Sequence, residues 1–562
     1  MLRLTQPQLS LADAWLAPEL CKLPEELAVV DRWLDDERFM APYVERFDQR
    51  IGRPTIPVER YQRLMYLKFR YKFGYEALVS EVSDSIHWRL FCRIPLNEKV
   101  PHSTTLSKLT RKYGPEIVEE LNGLLVGKMV EEKLVRGRKA QMDTTAVEAN
   151  IEHPTDANLL EDGIRYIDRC VKKLGQAVEG AAKGFRSGAR KAKQILFGIG
   201  ATLKSRATRA NAEQSAASAA TPAAPEVEAK GDLQQDSKKA GSRVPQALQE
   251  VVRAGVAAVR QAGAAVKAAA SKASSAAKEV GKKVSAKREK IDELTAQMAQ
   301  VAEQAVRHGW KVLAKVHEEA QGLSKAAGQR LQAMTGRLED ALEVTQRVLE
   351  QTALRLQGVR SIPDRLVSIL DREARAICRG KLGRSIEFGY KVLITEVEKG
   401  IVAAYKVLKG NPADVTLALP ALDQLKKLFG RAPREVAADK GFSSAENERK
   451  MKRRGVKRVA IPQKGKRSKH RDKIERASWF RRLQRWRAGG EATIGRFKRS
   501  YGLDCSYLLG YDGTATWVGF SFFTGNLHRI KRLVSAAEVN QGSGKSKPGG
   551  PVHATVALPA AS

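Results

Sequence analysis

The chain has 562 residues, with 99 Lys and Arg against 63 Asp and Glu, a formal net charge of +36. At roughly 150 residues per unit that length suggests about four structural units, and the charge calls for a polyanionic partner, nucleic acid ahead of an anionic membrane surface. No apolar run reaches the roughly 18 residues of a membrane span, the N-terminus lacks a signal-peptide pattern, and five scattered cysteines without Cys-x-x-Cys read as reduced thiols in a cytosolic protein rather than a disulfide or zinc framework.

Residues 1–135 read as a helical N-terminal domain, because "PVERYQRLMYLKFRYKFGYEALVSEVSDSIHWRLFCRI" carries apolar residues at helical spacing. In "PHSTTLSKLTRKYG", Ser103, Thr104 and Thr105 look like a helix N-cap, with Lys108, Arg111 and Lys112 on the turns that follow. A helix, a turn and a helix with a polar start is the layout of helix-turn-helix readers. Thr105, Lys108, Arg111 and Lys112 are therefore candidate DNA contacts, and packing or dimerisation is the plainer role for such a pair.

"KAQMDTTAV", 139–147, reads as a strand leading into a turn, and residues 136–165 as the first part of a second domain. A helix follows in "NIEHPTDANLLEDGIRYIDRCVKKLGQAV". Between Phe197 and Trp310 there is no Phe, Trp or Tyr, and Ala, Lys, Ser and Gly dominate. Such a tract buries too little apolar surface for a core, so 200–285 is expected to be disordered or fraying helix, basic and DNA-adherent. Leu331, Met334, Leu338, Thr345 and Leu349 recur near heptad spacing, which predicts a coiled helical hairpin over 286–358. The whole of 166–360 reads as a helical and low-complexity insertion between the first two strands.

Strand signals resume over 386–410, where two β-rich runs flank "EKG", a hairpin turn. "ALDQLKKLFG" is helical and stops at Gly430. "REVAADKGF" is a short strand ending at Asp439, "SSAENERKMKRRG" a helix capped by Ser443 or Ser444, and "VKRVAIP" a strand closed by Pro462. A basic loop and a helix over 474–500 follow, then an apolar helix in "GYDGTATWVGFSFFTGNLHRI". Strands alternating with helices after a hairpin imply a mixed α/β sheet over 361–535. The tail, 536–562, is expected to be disordered.

Glu491 is the lone carboxylate among seven Lys and Arg in "RRLQRWRAGGEATIGRFKRS". Asp143 and Asp439 lie at predicted strand ends, where ligand sites form in open α/β sheets. Three carboxylates meeting at one sheet edge suit hard divalent cations, which keep room for water and phosphate oxygens. Two such ions about 4 Å apart activate an attacking oxygen and stabilise the leaving one. Taken singly, each acid has a plainer role: a turn or cap for Asp143, a turn for Asp439, and an ion pair with Arg487 for Glu491.

"QMDTTAVEANIEHPTD", "EFGYKVLITEVEKG", "REVAADKGFSSAEN", "VKRVAIPQKG" and "RWRAGGEATIGRFKRSYGLDCSYLLGYDG" together resemble the DDE transposases of bacterial insertion sequences, the heterogeneous ISNCY group above all. The resemblance covers roughly 1–165 and 360–535. It implies an RNase H-like catalytic domain, with Asp143, Asp439 and Glu491 as metal ligands for two Mg²⁺ ions, Mn²⁺ being possible. It also implies double-stranded DNA as partner, both terminal inverted repeats and target, a homodimer or larger synaptic complex, and a cytoplasmic, nucleoid-associated location. Relatives carry Tyr-x2-Arg-x3-Glu-x6-Lys; here Arg487, Glu491 and Lys498 fit, but Gln484 stands at the Tyr position. Gly489 and Gly490, each costing a helix about 1 kcal/mol against Ala, admit a close backbone or DNA approach.

From Arg449 to Arg499 there are 21 Lys and Arg against three acids. Lys464, Lys466, Arg467, Lys469, Arg482, Arg485, Arg487, Arg496, Lys498 and Arg499 are the candidate phosphate contacts. Trp486 could stack on a base, though packing the helix on the sheet is its plainer role. A metal-dependent nuclease that never joins strands and a non-enzymatic, histone-like DNA binder are the alternative functions.

Overall fold

The computed structural model describes residues 1–5, 16–178, 182–219, 282, 284–318, 325–381 and 384–542. They form two compact units, residues 1–153 with 364–562, and residues 154–363.

The first unit opens with six helices: α1 (Glu25–Leu34), α2 (Ala41–Val44), α3 (Val58–Tyr71), α4 (Tyr75–Asp84), α5 (Ile86–Phe91) and α6 (Ser103–Glu131). The cap of α6 is not one of the hydroxyl residues expected. His102 fills it, its Nδ1 accepting the Thr104 N–H at 3.2 Å. A kink at Gly114 (φ 75°) breaks α6 in the middle, just ahead of Pro115, whose ring disfavours helical geometry in the residue before it.

Next comes β1 (Lys139–Ala149), and after the second unit β2 (Arg375–Lys381), β3 (Arg384–Val397) and β4 (Ile401–Leu408). The turn between β3 and β4 falls on Glu398–Gly400 as expected, with Lys399 and Gly400 at φ 65° and 75°. The order then runs α11 (Asp414–Phe429), β5 (Glu435–Ala438), α12 (Ala445–Arg453), β6 (Arg458–Ala460), α13 (Lys469–Arg476), α14 (Ser478–Tyr501), β7 (Cys505–Ser506) and α15 (Gly510–Gly542). Gly430, left-handed at φ 67°, stops α11, and Ser444 rather than Ser443 caps α12, accepting the Asn447 N–H. The helix expected over 474–500 is two helices, because Ala477 leaves the helical region (φ −60°, ψ 143°).

The sheet is mixed and open, ordered β2-β3-β1-β5-β6, with β4 also on β3 and β7 also on β1. β1 runs antiparallel to β3 and parallel to β5 and β7. β2 and β7 were not expected. β2 follows directly on the insertion, and β7 is two residues long, too short to alternate. One face packs Met142, Leu393, Val436 and Ala438 against α11 and Met451 of α12. The other packs Val392, Ile394, Ala437 and Ala460 under α14 and α15.

α15 is the final core helix expected. Its Trp517, Phe520, Phe523 and Leu527 share one core with α1, α3, α4 and α6. Asn526 fixes its register: Nδ2 donates to Asn122 Oδ1 (2.9 Å) and the Val402 carbonyl (2.8 Å), and Oδ1 accepts the Val402 N–H (3.1 Å).

The second unit packs α7 (Asp156–Ala177), α8 (Ala189–Ala219), a helix over 284–318, α9, and α10 (Lys325–Leu356). Close helix approach rests on small residues: a Cβ on Gly163 would lie 2.6 Å from Thr345, and one on Gly309 2.5 Å from Leu342. Of the expected heptad positions, Leu331, Leu338 and Thr345 are buried, while Met334 and Leu349 are half-buried. Part of the expected disordered tract, 200–219, continues α8; most of the rest, 220–281, lies outside the described residues, as does 543–562 of the tail, whose first residues extend α15. All five cysteines are free thiols.

Candidate active site

Strand alternation sets the site. Met142 points into the α11 face, so Gln141 and Asp143 project to the α14 face. Asp143 is not at a strand end, as expected from the sequence, but the fifth residue of the eleven-residue β1. The reason is β3, which pairs with β1 as far as Glu148, whereas β5 stops at Ala438, opposite Met142. Asp143 and Asp439 are thus the next residues on two adjacent parallel strands, and neighbouring strands lie about 4.8 Å apart. Asp439 caps a short 3-10 turn, its Oδ1 accepting the Lys440 N–H.

α14 crosses this edge without a break at its two glycines. Phe480 and Leu483 seat it over β5 and β6, and Gly490 seats it on β1, where a Cβ would lie 1.9 Å from the Gln141 Nε2. Gln484 holds the crossing point: Nε2 donates to the carbonyls of Ala438 (3.3 Å) and Ala460 (2.5 Å), and Oε1 accepts Arg487 Nε (3.2 Å). Arg487, held in this way, reaches Asp143 at 3.8 Å. One turn on, Glu491 is exposed. Among the described residues no group of three or more His, Cys, Asp and Glu side chains could hold a metal ion. The oxygen donors of Asp143, Asp439 and Glu491 have the chemistry a hard divalent cation takes, but the three do not form such a group.

Below Gly490 lies a network that the sequence did not announce. Glu396 of β3, paired in register with Gln141 and 6% exposed, accepts Gln141 Nε2 at 2.7 Å and Thr493 Oγ1 at 3.3 Å. Burial pushes its carboxyl up to about 7, against the pull of those two donors and of Arg496 and Arg529. An acid held above its unfolded value favours the fold while protonated, and that contribution is lost as pH rises from about 4.5 to 7. Glu396→Gln is therefore expected to remove about 3 kcal/mol of pH-dependent destabilisation and to flatten the thermal-melt profile over that window. Equal slopes for both proteins would refute the role. Nothing in "ITEVEKG" distinguishes a buried Glu396 from a solvated one.

The basic candidates divide. Lys498 donates to the Ala146 carbonyl (2.7 Å) and Arg496 to that of Gly400 (3.1 Å), so both brace the sheet. Trp486 packs beside Phe480 and Leu483 with the Lys139 ammonium over its ring, the plainer of its two expected roles. Arg467 pairs with Glu475 at 2.9 Å, and Arg482 stands 3.7 Å from Glu435. Lys464, Lys466, Lys469, Arg485 and Arg499 are exposed. Lys108, Arg111 and Lys112 are exposed along α6, with Thr105 half-buried.

Residues 364–527 match the family described as Transposase DDE domain, and residues 19–112 match the Transposase domain (DUF772). These two matches, on a mixed open sheet flanked by helices, support a DDE transposase of an insertion sequence. DDE transposase domains use divalent metal ions. A curated protein of Rhizobium meliloti, the uncharacterized protein ORF8 in the nfe locus, is 26% identical over 134 residues, 23% of this chain. The match spans 65% of that relative, just under two thirds of its length. No solved structure matches the chain. Among the described residues no helix is long and apolar enough to cross a membrane.

Proposed function

We propose that the chain binds the terminal inverted repeats of its element, cleaves the DNA ends and joins the freed 3′-hydroxyl to target DNA. What carries this reading is Asp143 and Asp439 side by side under α14, the helix richest in arginine, in a chain of transposase family. Residues 1–135 contribute DNA binding, with Thr105, Lys108, Arg111 and Lys112 on the exposed side of α6. Synapsis of two ends requires at least two copies, acting on the nucleoid DNA of the cytoplasm.

In the first step a water oxygen attacks phosphorus, the bond to the 3′-oxygen breaks, and that oxygen leaves with a proton as the 3′-hydroxyl. In the second the hydroxyl attacks a target phosphorus and displaces the target's own 3′-oxygen. Each step exchanges one phosphodiester bond, or one bond to water, for another, so no nucleotide cofactor is required. Asp143, Asp439 and Glu491 would hold the divalent cations, two Mg²⁺ in this proposal, which supply Lewis-acid stabilisation when bound. Gln484 holds Arg487 beside Asp143, where its planar fork suits a phosphate oxygen. Arg485 and Arg499, exposed on α14, take the flanking backbone.

The test supplies pre-cut ends bearing a 3′-hydroxyl together with a target plasmid and Mg²⁺. Joined product is expected. Nicking without joining would leave a nuclease, and binding with neither would leave a DNA-adhesive protein.

A further inference from the structure

Three strands of the sheet begin on cations. Arg138 and Lys139 open β1, Arg434 precedes Glu435 at the start of β5, and Lys457 precedes Arg458 at the start of β6. In register, Lys139, Glu435 and Arg458 stand in one row across the three strands. This row faces α14: Lys139 lies over the Trp486 ring, Arg458 over the Trp479 ring, and Glu435 draws in Arg458 (2.9 Å) and Arg482 (3.7 Å). The residues one step earlier, Arg138, Arg434 and Lys457, form a second row at the very edge.

This second row differs from the first. All three side chains are exposed, and among the described residues none makes a hydrogen bond or ion pair. Their backbones are nevertheless tied together. The N–H groups of Arg434 and Glu435 donate to the Arg138 carbonyl at 2.8 and 3.1 Å, and those of Lys457 and Arg458 to the Arg434 carbonyl at 2.9 and 3.0 Å. The two rows line an open cavity of about 390 Å³, with Glu435 its single acid. The Glu398 carboxylate accepts the Arg138 and Lys139 N–H groups at 2.6 and 2.9 Å, but three exposed like charges in a row, none with an ion pair on its side chain, favour an external anion.

We infer that this edge is a DNA-backbone site in which Arg138, Arg434 and Lys457 take successive phosphates. It is separate from the basic face of α14. Five residues of strand, at about 3.3 Å each, put it about 16 Å from Asp143 and Asp439, at the amino ends of the strands rather than the carboxyl ends. A duplex held here continues past the acids or is a second molecule. The inference rests on the DNA-binding reading above but not on the chemistry of the carboxylates.

The experiment compares three full-length proteins in metal-free buffer: wild type, Arg138→Ala/Arg434→Ala/Lys457→Ala, and a charge-matched control, Lys406→Ala/Lys426→Ala/Lys427→Ala, from another exposed surface. Binding of a 30-base-pair duplex is measured from low to physiological salt, and thermal melts check folding. The slope of log affinity against log salt is expected to fall by about 2 to 3 for the edge variant, at about 0.9 per phosphate lost, and to change less for the control. Equal slopes for the two variants would overturn the inference. A further variant, Arg482→Ala/Arg485→Ala, separates the two readings. If it weakens binding while the edge variant matches the control, only the edge site fails. If no variant changes binding, the DNA reading fails with it.

Discussion

Asp143→Asn is expected to reduce strand cleavage by on the order of a thousandfold or more while leaving metal-free DNA binding intact or stronger. Asparagine has the same shape, and its amide oxygen still accepts the Thr144 N–H that Asp143 Oδ1 takes at 2.7 Å. What it lacks is the charge. A metal ligand that stabilises the transition state by several kcal/mol corresponds to about three decades in rate. Loss of an acid beside phosphates removes repulsion, so binding and cleavage move in different directions. A nicking assay on supercoiled plasmid, beside a metal-free gel shift, reads both. Wild-type nicking by the variant would remove Asp143 from the chemistry, and with it the proposed site.

The second large effect is expected at Gly490→Ala. The added methyl would meet Gln141 at 1.9 Å from Nε2 and 2.7 Å from Cδ. An exposed amide would swing aside, but Gln141 is 4% exposed and its Nε2 is held by Glu396. Either α14 lifts off β1 or the Gln141–Glu396 bond breaks with both groups still buried. Overpacking costs about 1–3 kcal/mol and an orphaned buried polar partner a similar amount. The variant is therefore expected to melt several degrees lower and, because Arg487 and Glu491 ride on the same helix, to lose cleavage well below its melting temperature. Gly489→Ala, where a Cβ meets nothing within 4 Å, is the control and is expected to be neutral or slightly stabilising. Identical melts for the two variants would show that α14 does not press on β1 as described.

Apart from β7 and the break between α13 and α14, the order of strands and helices after 386 was legible because those elements carried their own punctuation. Gly430 ends α11, Ser444 caps α12, and "EKG" turns the hairpin. Asp143 and Asp439 were legible as candidates for a different reason, an acid beside a strand signal. Their register was not legible, because pairing between strands nearly three hundred residues apart is set by packing on both faces of the sheet. The role of Gln484 was hidden for the same reason: its partners are backbone carbonyls of β5 and β6, which leave no side-chain pattern. His102 as the cap of α6 was missed because imidazole is an uncommon acceptor there, while three hydroxyl residues followed it.

The insertion has a consequence for how the protein is made. Every neighbour of the central strand β1 is translated after the second unit: β3 from residue 384, β5 from 435, β7 from 505. At about 5–20 residues per second, β1 leaves the ribosome at least ten seconds or so before its first partner exists, with both edges bare. Distance along the chain adds little to the final balance, since each doubling of a loop costs only about 0.6 kcal/mol. The burden falls on the nascent chain, which must keep an unpaired apolar strand from finding another polypeptide while the helices of the insertion fold among themselves.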